Sequence, residues 1–157
     1  MNIDQEYKFN KIDALSQFHI VRRLAPVVGE LFAAVANSGL TANGKKAEDM
    51  KFNDIDFDAV SKNLSPVMIA LSKLPDEDMN YCLFGLLKGV QRKQIGGGFA
   101  NVMANGSKDL IMFEDIKENL QLMLTLAGKS IAVNLGGFMQ ALPSALKEGA
   151  LHQNVSG

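Results

Sequence analysis

The residues that most directly suggest chemistry lie in the stretch QRKQIGGGFANV, residues 91–102. Three consecutive glycines beside arginine and lysine resemble a phosphate-binding loop, in which backbone N–H groups cradle an anion. A P-loop needs a lysine and a hydroxyl residue after its last glycine, but Phe99 and Ala100 stand there. A Rossmann loop needs a strand before the glycines and a helix after them. Because the sequence predicts a helix before and a strand after, we interpret Gly96 to Gly98 as a turn.

Other residues capable of chemistry are sparse. His19 and His152 have no cysteine or acid at ligand spacing, so the sequence predicts no metal site. Cys82 is the only cysteine, which excludes an internal disulfide. A nucleophilic cysteine needs an electropositive, accessible setting, whereas Cys82 stands beside Tyr81 and Leu83 in an apolar helical stretch. We therefore interpret Cys82 as a buried small hydrophobe, and predict no catalytic residue and no cofactor.

Two charged clusters have simple structural explanations. Asp76, Glu77 and Asp78 could bind a cation, but they also begin a predicted helix, where negative charge is favoured. Arg22 and Arg23 could bind an anion, but paired arginines on a helix are usually solvated or ion-paired. We therefore interpret the three acids as charges that stabilise a helix N-terminus, and the two arginines as a solvated or ion-paired helix face.

The bulk composition bounds the function classes. The 157 residues correspond to about one domain, 1–157, with 47% hydrophobic and 21% charged residues. A net charge of -1 gives no electrostatic reason to expect nucleic acid or an anionic membrane. The most apolar stretch, residues 120–138, contains Gln121, Lys129 and Asn134, which favours a buried amphipathic helix over a bilayer span. The first residues lack a signal-peptide pattern, and a reducing cytoplasm fits the single cysteine.

Apolar periodicity predicts three helical regions in the first two thirds of the chain. The first runs from about Ala14 to Ala36, with Asp13 as its N-cap and a kink at Pro26. Its apolar stripe comprises Leu24, Val28, Leu31 and Val35, preceded by Leu15 and Phe18. The second holds Phe57, Val60, Leu64, Met68 and Leu71, either as one kinked helix or as two, with Ser65 capping the later one before Pro66. The third starts at the acids and ends with Lys88, Arg92 and Lys93 in its last turns.

The remaining patterns predict hairpins and one long helix. Ile3, Tyr7 and Phe9 indicate a small N-terminal hairpin, and FANVM-ANGSKD-LIMF a second one. Asp115 and Glu118 have capping-box spacing before the last helix. Its predicted apolar face comprises Ile116, Leu120, Met123, Ala127, Ile131, Leu135, Phe138 and Leu142. The predicted fold class is mainly α with a small β component (α+β), a helical bundle with one or two short β-hairpins.

Two segments are too polar or too terminal to be predicted as regular structure. Residues 37–53, NSGLTANGKKAEDMKFN, are polar, glycine-containing and aperiodic, which predicts a long mobile loop or, equally, an excursion that orders on a partner. Residues 150–157 are predicted to be a frayed tail.

Four motifs, in this order, resemble a family of tail assembly chaperones from tailed phages and prophages. They are FNKIDALSQFHIVRRLAP at 9–26, ALSKLPDEDMNYCLFGLLKGVQRKQ at 70–94, MFEDI at 112–116 and NLGGF at 134–138. Family members often carry a tryptophan after the glycine turn, where this chain keeps an aromatic residue, Phe99. The family has no catalytic motif, so no active-site residues are carried over.

The resemblance implies a non-enzymatic role in building a phage tail. Such chaperones are thought to keep the tape measure protein soluble and to help recruit tail tube subunits. The implied location is the cytoplasm of the bacterial host, with the chaperone absent from the finished virion. A small structural component of the tail and an enzyme with no recognisable motif remain alternatives. The sequence does not fix the oligomeric state, and a homo-oligomer is possible.

The best candidate for a partner-binding surface is the far end of the last helix. Phe138, Leu142 and Leu146 recur at i, i+4 and i+8, the spacing of anchors between a helix and a groove, and Met139 adds an adaptable side chain. These four residues are too near the C-terminus to be assigned to the core by default. The alternative is that they close the domain's own core or a homo-oligomer interface.

Overall fold

The computed structural model describes residues 2–37 and 64–136 and shows a mainly α fold with a small sheet, confirming the predicted class. The helices and strands are α1 (Ile3–Glu6), β1 (Tyr7–Phe9), α2 (Ala14–Asn37), α3 (Ser65–Leu71), α4 (Asp76–Leu87), β2 (Val90–Lys93), β3 (Phe99–Asn101), α5 (Glu114–Lys117) and α6, which begins at 120 and is described to 136.

The three strands form one antiparallel sheet in the order β1-β2-β3. Tyr7 lies opposite Arg92 in the first pair, and Arg92 lies opposite Ala100 in the second. The predicted N-terminal hairpin is therefore wrong, since β1 pairs with a strand from the middle of the chain. Ile3 belongs instead to α1, whose first turn is capped by Asn2, its side-chain oxygen accepting from the Asp4 N–H at 3.2 Å.

Helix α2 begins where the sequence predicts. Its N-cap is Asp13, whose Oδ1 accepts a hydrogen bond from the Ser16 N–H at 2.9 Å. Pro26 lies inside the helix, as predicted. The buried side comprises Ile20, Val21, Leu24, Val27 and Val28. Leu15 and Phe18 lie on the opposite side, 66% and 60% exposed, because helical periodicity rotates positions 15, 18 and 22 away from that buried stripe. The prediction that Leu15 and Phe18 extend the core stripe is wrong.

Helices α3 and α4 pack against α2. Ser65 is the first residue of α3 and makes no cap bond, so the predicted Ser65 cap is wrong by one position. The three predicted acids do occupy the first turn of α4.

The predicted end of α4 is wrong. The helix stops at Leu87 and Lys88 is its C-cap, while Arg92 and Lys93 lie on β2. The carbonyl of Gly89, just before β2, accepts a hydrogen bond from the N–H of Asn10, just after β1, at 2.7 Å. This bond lies at the start of the pairing between β1 and β2.

The last helix begins later than predicted. Asp115 bonds to Arg92 instead of capping, so the capping-box prediction is wrong. Asn119 caps α6, its Oδ1 accepting from the Leu122 N–H at 3.0 Å. The buried side of α6 is rotated relative to the prediction, since Leu122 and Leu126 are buried whereas Leu120 is 52% exposed. The predicted core residues Ile116, Ala127 and Leu135 are buried, with Ile116 on α5.

The core consists of two clusters, both of which include residues of α6. One lies between α2 and α4 and includes Ile20, Leu24 and Cys82. The other lies beneath the sheet and includes Tyr7, Val90 and Val102. Because α6 adds Ala127 and Leu135 to the first and Leu122 and Leu126 to the second, it holds the helical part and the sheet together.

Several predictions concern residues that the structure does not describe. These are the loop at 37–53 beyond its first residue, Phe57, Val60, the tail at 150–157, His152, and the four partner-binding residues Phe138, Met139, Leu142 and Leu146. Val35 lies on α2, but its side chain is not described either.

Candidate functional site

The glycine run is the turn of the β2–β3 hairpin. Gly97 and Gly98 have φ angles of 89° and 77°, a backbone region that other residues rarely adopt. The Gln94 N–H donates to the carbonyl of Gly98 at 3.0 Å, which closes the turn. The turn interpretation is confirmed, but the element before the glycines is a strand and not the predicted helix end.

The arginine beside these glycines is occupied by protein contacts. Arg92 Nη1 lies 2.7 Å from Asp115 Oδ1, and its guanidinium lies over the rings of Phe113 at 5.0 Å and Tyr7 at 5.9 Å. The hydrogen bond to Asp115 raises the pKa of Arg92. Arg92 thus ties the sheet to α5, which accounts for its position without a bound anion.

Cys82 is buried in the α2–α4 cluster, confirming its interpretation as a small hydrophobe. Its thiol donates to the carbonyl of Ile20, with 3.8 Å between Sγ and the oxygen. Burial raises the pKa of the Cys82 thiol from 9.0 to about 12, which keeps it protonated and unreactive near neutral pH.

We expect Cys82 in the folded protein to react about a thousandfold more slowly with a thiol reagent at pH 8 than in urea, because about that much less thiolate is present. Because the pKa of the Cys82 thiol is higher in the folded state, the thiol ionises first in the unfolded state. The contribution of Cys82 to stability is therefore lost as the pH rises from 9.0 to about 12. The labelling rate is measured by absorbance during reaction with a disulfide reagent, with Cys82→Ser as the blank. Fast labelling of the folded protein would contradict it.

A group of apolar and aromatic side chains lies on the outer side of α2 and α4. We call it the aromatic surface and define it as Leu15, Phe18, His19 and Tyr81. The Phe18 and His19 rings meet edge to face with centroids 5.5 Å apart, and the His19 and Tyr81 rings do so at 6.2 Å. The three rings therefore form one continuous contact across two helices.

The Tyr81 ring also contacts the guanidinium of Arg23. The guanidinium of Arg23 lies 4.1 Å from its ring centroid, and Arg23 Nη1 pairs with Asp78 Oδ1 at 2.6 Å. The predicted ion-paired role is confirmed for Arg23. Arg22 is exposed and has no ion-pair partner among the described residues.

The last described turn of α6 is fixed beside the start of α2. The side chain of Asn134 accepts a hydrogen bond from the Ile12 N–H at 2.7 Å and donates to the carbonyls of Asn10 and Ser130 at 3.3 and 3.0 Å. Since Asn134 is buried, these bonds satisfy polar groups that would otherwise be costly. The predicted partner-binding residues follow a few positions later, outside the described residues.

The aromatic surface was missed by sequence reasoning, although part of its signal was present. Leu15 and Phe18 were assigned to the core stripe of α2 because they are apolar, whereas a count from Ile20 and Leu24 would have placed them opposite. Tyr81 carries no such signal, since its position depends on how α4 packs against α2.

A comparison with known families identifies the chain. A family model described as "Phage tail assembly chaperone protein, TAC" matches residues 4–147. The chain belongs to this family of phage tail assembly chaperones. No curated protein and no solved structure shows significant similarity to it.

The extent of the match places the candidate surfaces of the chaperone within the family region. Residues 4–147 include the aromatic surface, Asn134 and the predicted partner-binding residues, and exclude the last ten positions. Membership in an assembly chaperone family implies binding of tail components in general.

Two further findings concern only residues 2–37 and 64–136 of the chaperone. Within them, no cluster of three or more His, Cys, Asp or Glu side chains is arranged to hold a metal ion. None of their helices combines the length and apolarity needed to cross a bilayer.

Proposed function

We propose that this chaperone binds the tape measure protein, tail tube subunits, or both, and holds them soluble until the tail assembles. The observation that carries the proposal is the family match over residues 4–147, almost the whole chain. The proposed role is non-enzymatic and belongs to the cytoplasm of the bacterial host, with the chaperone left out of the finished virion.

The physical requirement for such a role is an apolar surface that accepts helices. A tape measure protein is long and helical, and before the tail closes around it, its apolar faces are exposed to water. Covering those faces removes apolar area from water and suppresses aggregation. An amphipathic helix docks in an apolar groove through anchors that recur at helical spacing along one face.

We place the first client contact at Phe138, Met139, Leu142 and Leu146. The described part of α6 supports this placement indirectly. Its last core residue is Leu135, which packs in the α2–α4 cluster, and Asn134 fixes the helix to the start of α2. A client contact beginning at Phe138 would therefore follow directly from a firmly held helix.

A triple substitution, Phe138→Ser with Leu142→Ser and Leu146→Ser, should leave the protein folded and move a co-expressed tape measure protein into the insoluble fraction. Truncating one interface anchor typically costs on the order of 2 kcal/mol, about 30-fold in affinity, so losing three should abolish retention. Circular dichroism checks folding, and sedimentation of lysates checks client solubility.

Leu151→Ser is the matched control, since it removes a leucine from the same terminal region outside the family match. The control should keep the client soluble. If the triple variant unfolds, the three residues belong to the core, and if it still solubilises the client, the contact lies elsewhere.

The role itself has a separate test. Mass spectrometry of purified virions should find the tape measure protein and not this chain. Finding the chain at a stoichiometric level would make it a structural component of the tail.

A further inference from the structure

We propose that the outer side of the three-stranded sheet is a second contact of the chaperone, which binds an extended acidic peptide segment. The segment carries two carboxylates separated by one residue. The inference goes beyond the proposed function, because it assigns the chemistry of a ligand whichever tail protein supplies it, and it does not depend on the helix contact at Phe138.

The pleat of the sheet places its residues on two different sides. Tyr7 and Val90 are buried on the inner side, in the cluster beneath the sheet. Successive side chains of a strand point to opposite sides, and the register sets Lys8 opposite Gln91 and Gln91 opposite Asn101. The side away from the core, which we call the outer sheet face, therefore comprises Lys8, Gln91, Lys93, Phe99 and Asn101.

The two lysines of the outer sheet face carry charge that the described part of the chain does not neutralise. Lys8 and Lys93 are exposed, and neither makes an ion pair with a described residue. Arg92, by contrast, lies on the inner side of the same sheet and is paired with Asp115 at 2.7 Å. A partner that approaches the outer sheet face thus meets two uncompensated cations, which favours carboxylates.

The spacing of these lysines favours an extended segment. Lys8 lies opposite Gln91, and Lys93 follows two positions later on the same strand as Gln91. Residues in this diagonal relation on neighbouring strands lie roughly 7–8 Å apart. In an extended chain, side chains two positions apart lie on the same side and are separated by about 7 Å. Two carboxylates with one residue between them therefore match the two lysines.

A chain of hydrogen-bonded amide side chains crosses the same face. Asn10 Nδ2 donates to Gln91 Oε1 at 3.1 Å, and Gln91 Nε2 donates to Asn101 Oδ1 at 2.9 Å. Asn101 Nδ2 donates in turn to Asn105 Oδ1 at 2.9 Å.

These amides match the backbone of a bound peptide. A side-chain amide has two N–H donors and two acceptor lone pairs. Within the amide chain, Gln91 and Asn101 each use one donor and one acceptor position, so each keeps one of both for a partner. A peptide group offers the same donor and acceptor. Because the amides already hold one another in place, a peptide that binds them loses little free energy to side-chain ordering.

Phe99 adds an apolar contact beside the charges. It lies opposite Lys93 and is 46% exposed. Exposed ion pairs contribute little to affinity by themselves, whereas covering an aromatic ring removes a large apolar area from water. We therefore expect the acidic segment to carry an apolar residue next to its carboxylates.

The test is a titration of a labelled peptide with the full-length chaperone, followed by fluorescence anisotropy. The peptide has eight residues, namely valines, serines and two aspartates separated by one residue. A second peptide has the same composition with the two aspartates adjacent, which places them on opposite sides of an extended chain. We expect the first peptide to bind several-fold more tightly than the second, and its binding to weaken as the ionic strength rises.

Charge reversal locates the contact on the chaperone. Lys8→Glu combined with Lys93→Glu should weaken binding of the first peptide at least about tenfold, because two attractive contacts become repulsive. Lys8→Gln with Lys93→Gln, which removes the charges without reversing them, should give a smaller loss. Arg22→Glu with Lys88→Glu is the matched control, since it reverses two exposed cations outside the sheet. It should bind like the unaltered chain, and thermal melting checks that each variant is folded.

Three results would overturn the inference. They are no binding of the first peptide by the unaltered chain, equal binding by the sheet variants and the control, and tighter binding of a labelled single-stranded oligonucleotide than of the peptide. Solubility of a co-expressed tape measure protein is measured separately, so the proposed function and this inference can each fail alone.

Discussion

Replacing Leu126 by alanine is expected to lower the free energy of unfolding by about 2–5 kcal/mol. Leu126 is 0% exposed and packs in the cluster beneath the sheet, with Leu87 and Val90. Alanine removes this apolar contact and leaves a cavity in a region that links α6 to the strands. Urea unfolding followed by circular dichroism measures the change.

Leu120→Ala is the matched control, because it is the same substitution in the same helix at a position 52% exposed. It should change stability by less than about 0.5 kcal/mol. The sequence pattern alone placed Leu120 on the core face and did not include Leu126. If Leu120→Ala costs as much as Leu126→Ala, the orientation of α6 described above is wrong.

Replacing Gly89 by alanine is expected to destabilise the protein by about 1–3 kcal/mol, the usual cost of overpacking. A Cβ at this position would lie 2.6 Å from the carbonyl oxygen of Asn10 and 3.1 Å from Cγ2 of Ile12. The first of these contacts is with backbone, which cannot move without breaking the Asn10–Gly89 hydrogen bond that starts the pairing of β1 with β2.

Gly96→Ala provides the comparison, since a Cβ there meets nothing within 4 Å. Thermal melting of the two variants should show a lower midpoint for Gly89→Ala and little change for Gly96→Ala. Equal midpoints would mean that α4 and β1 approach each other less closely at Gly89.

The elements that the sequence predicted well are those with strong local signals. Helix α2 was placed by its Asp13 cap and its apolar period, and α4 by three acids in its first turn. Such signals involve residues a few positions apart. Caps and periodicity therefore specify where these helices begin, without specifying what they pack against.

The errors arose where structure depends on distant partners. Residues 90–93 carry two cations after a helix, which favoured a helix end, but they pair with residues 7–9 to form a sheet. No local pattern shows that pairing. The late start of α6 was recoverable, since Asn119 is a good N-cap directly before an apolar run.

The candidate surfaces show the same contrast between local sequence signals and contacts between distant residues. Helical spacing alone was enough to nominate Phe138, Leu142 and Leu146, and that nomination stays a prediction. The aromatic surface required the packed structure, because Tyr81 and His19 meet only when α4 lies against α2.

The most direct test of the proposed chaperone function is co-expression of the tape measure protein with and without this chain. We expect the tape measure protein to be insoluble alone, and to become soluble and co-elute with the chain in size-exclusion chromatography when both are present. A tape measure protein that is equally insoluble in both cases, or soluble without any co-elution, would contradict client binding by this chaperone.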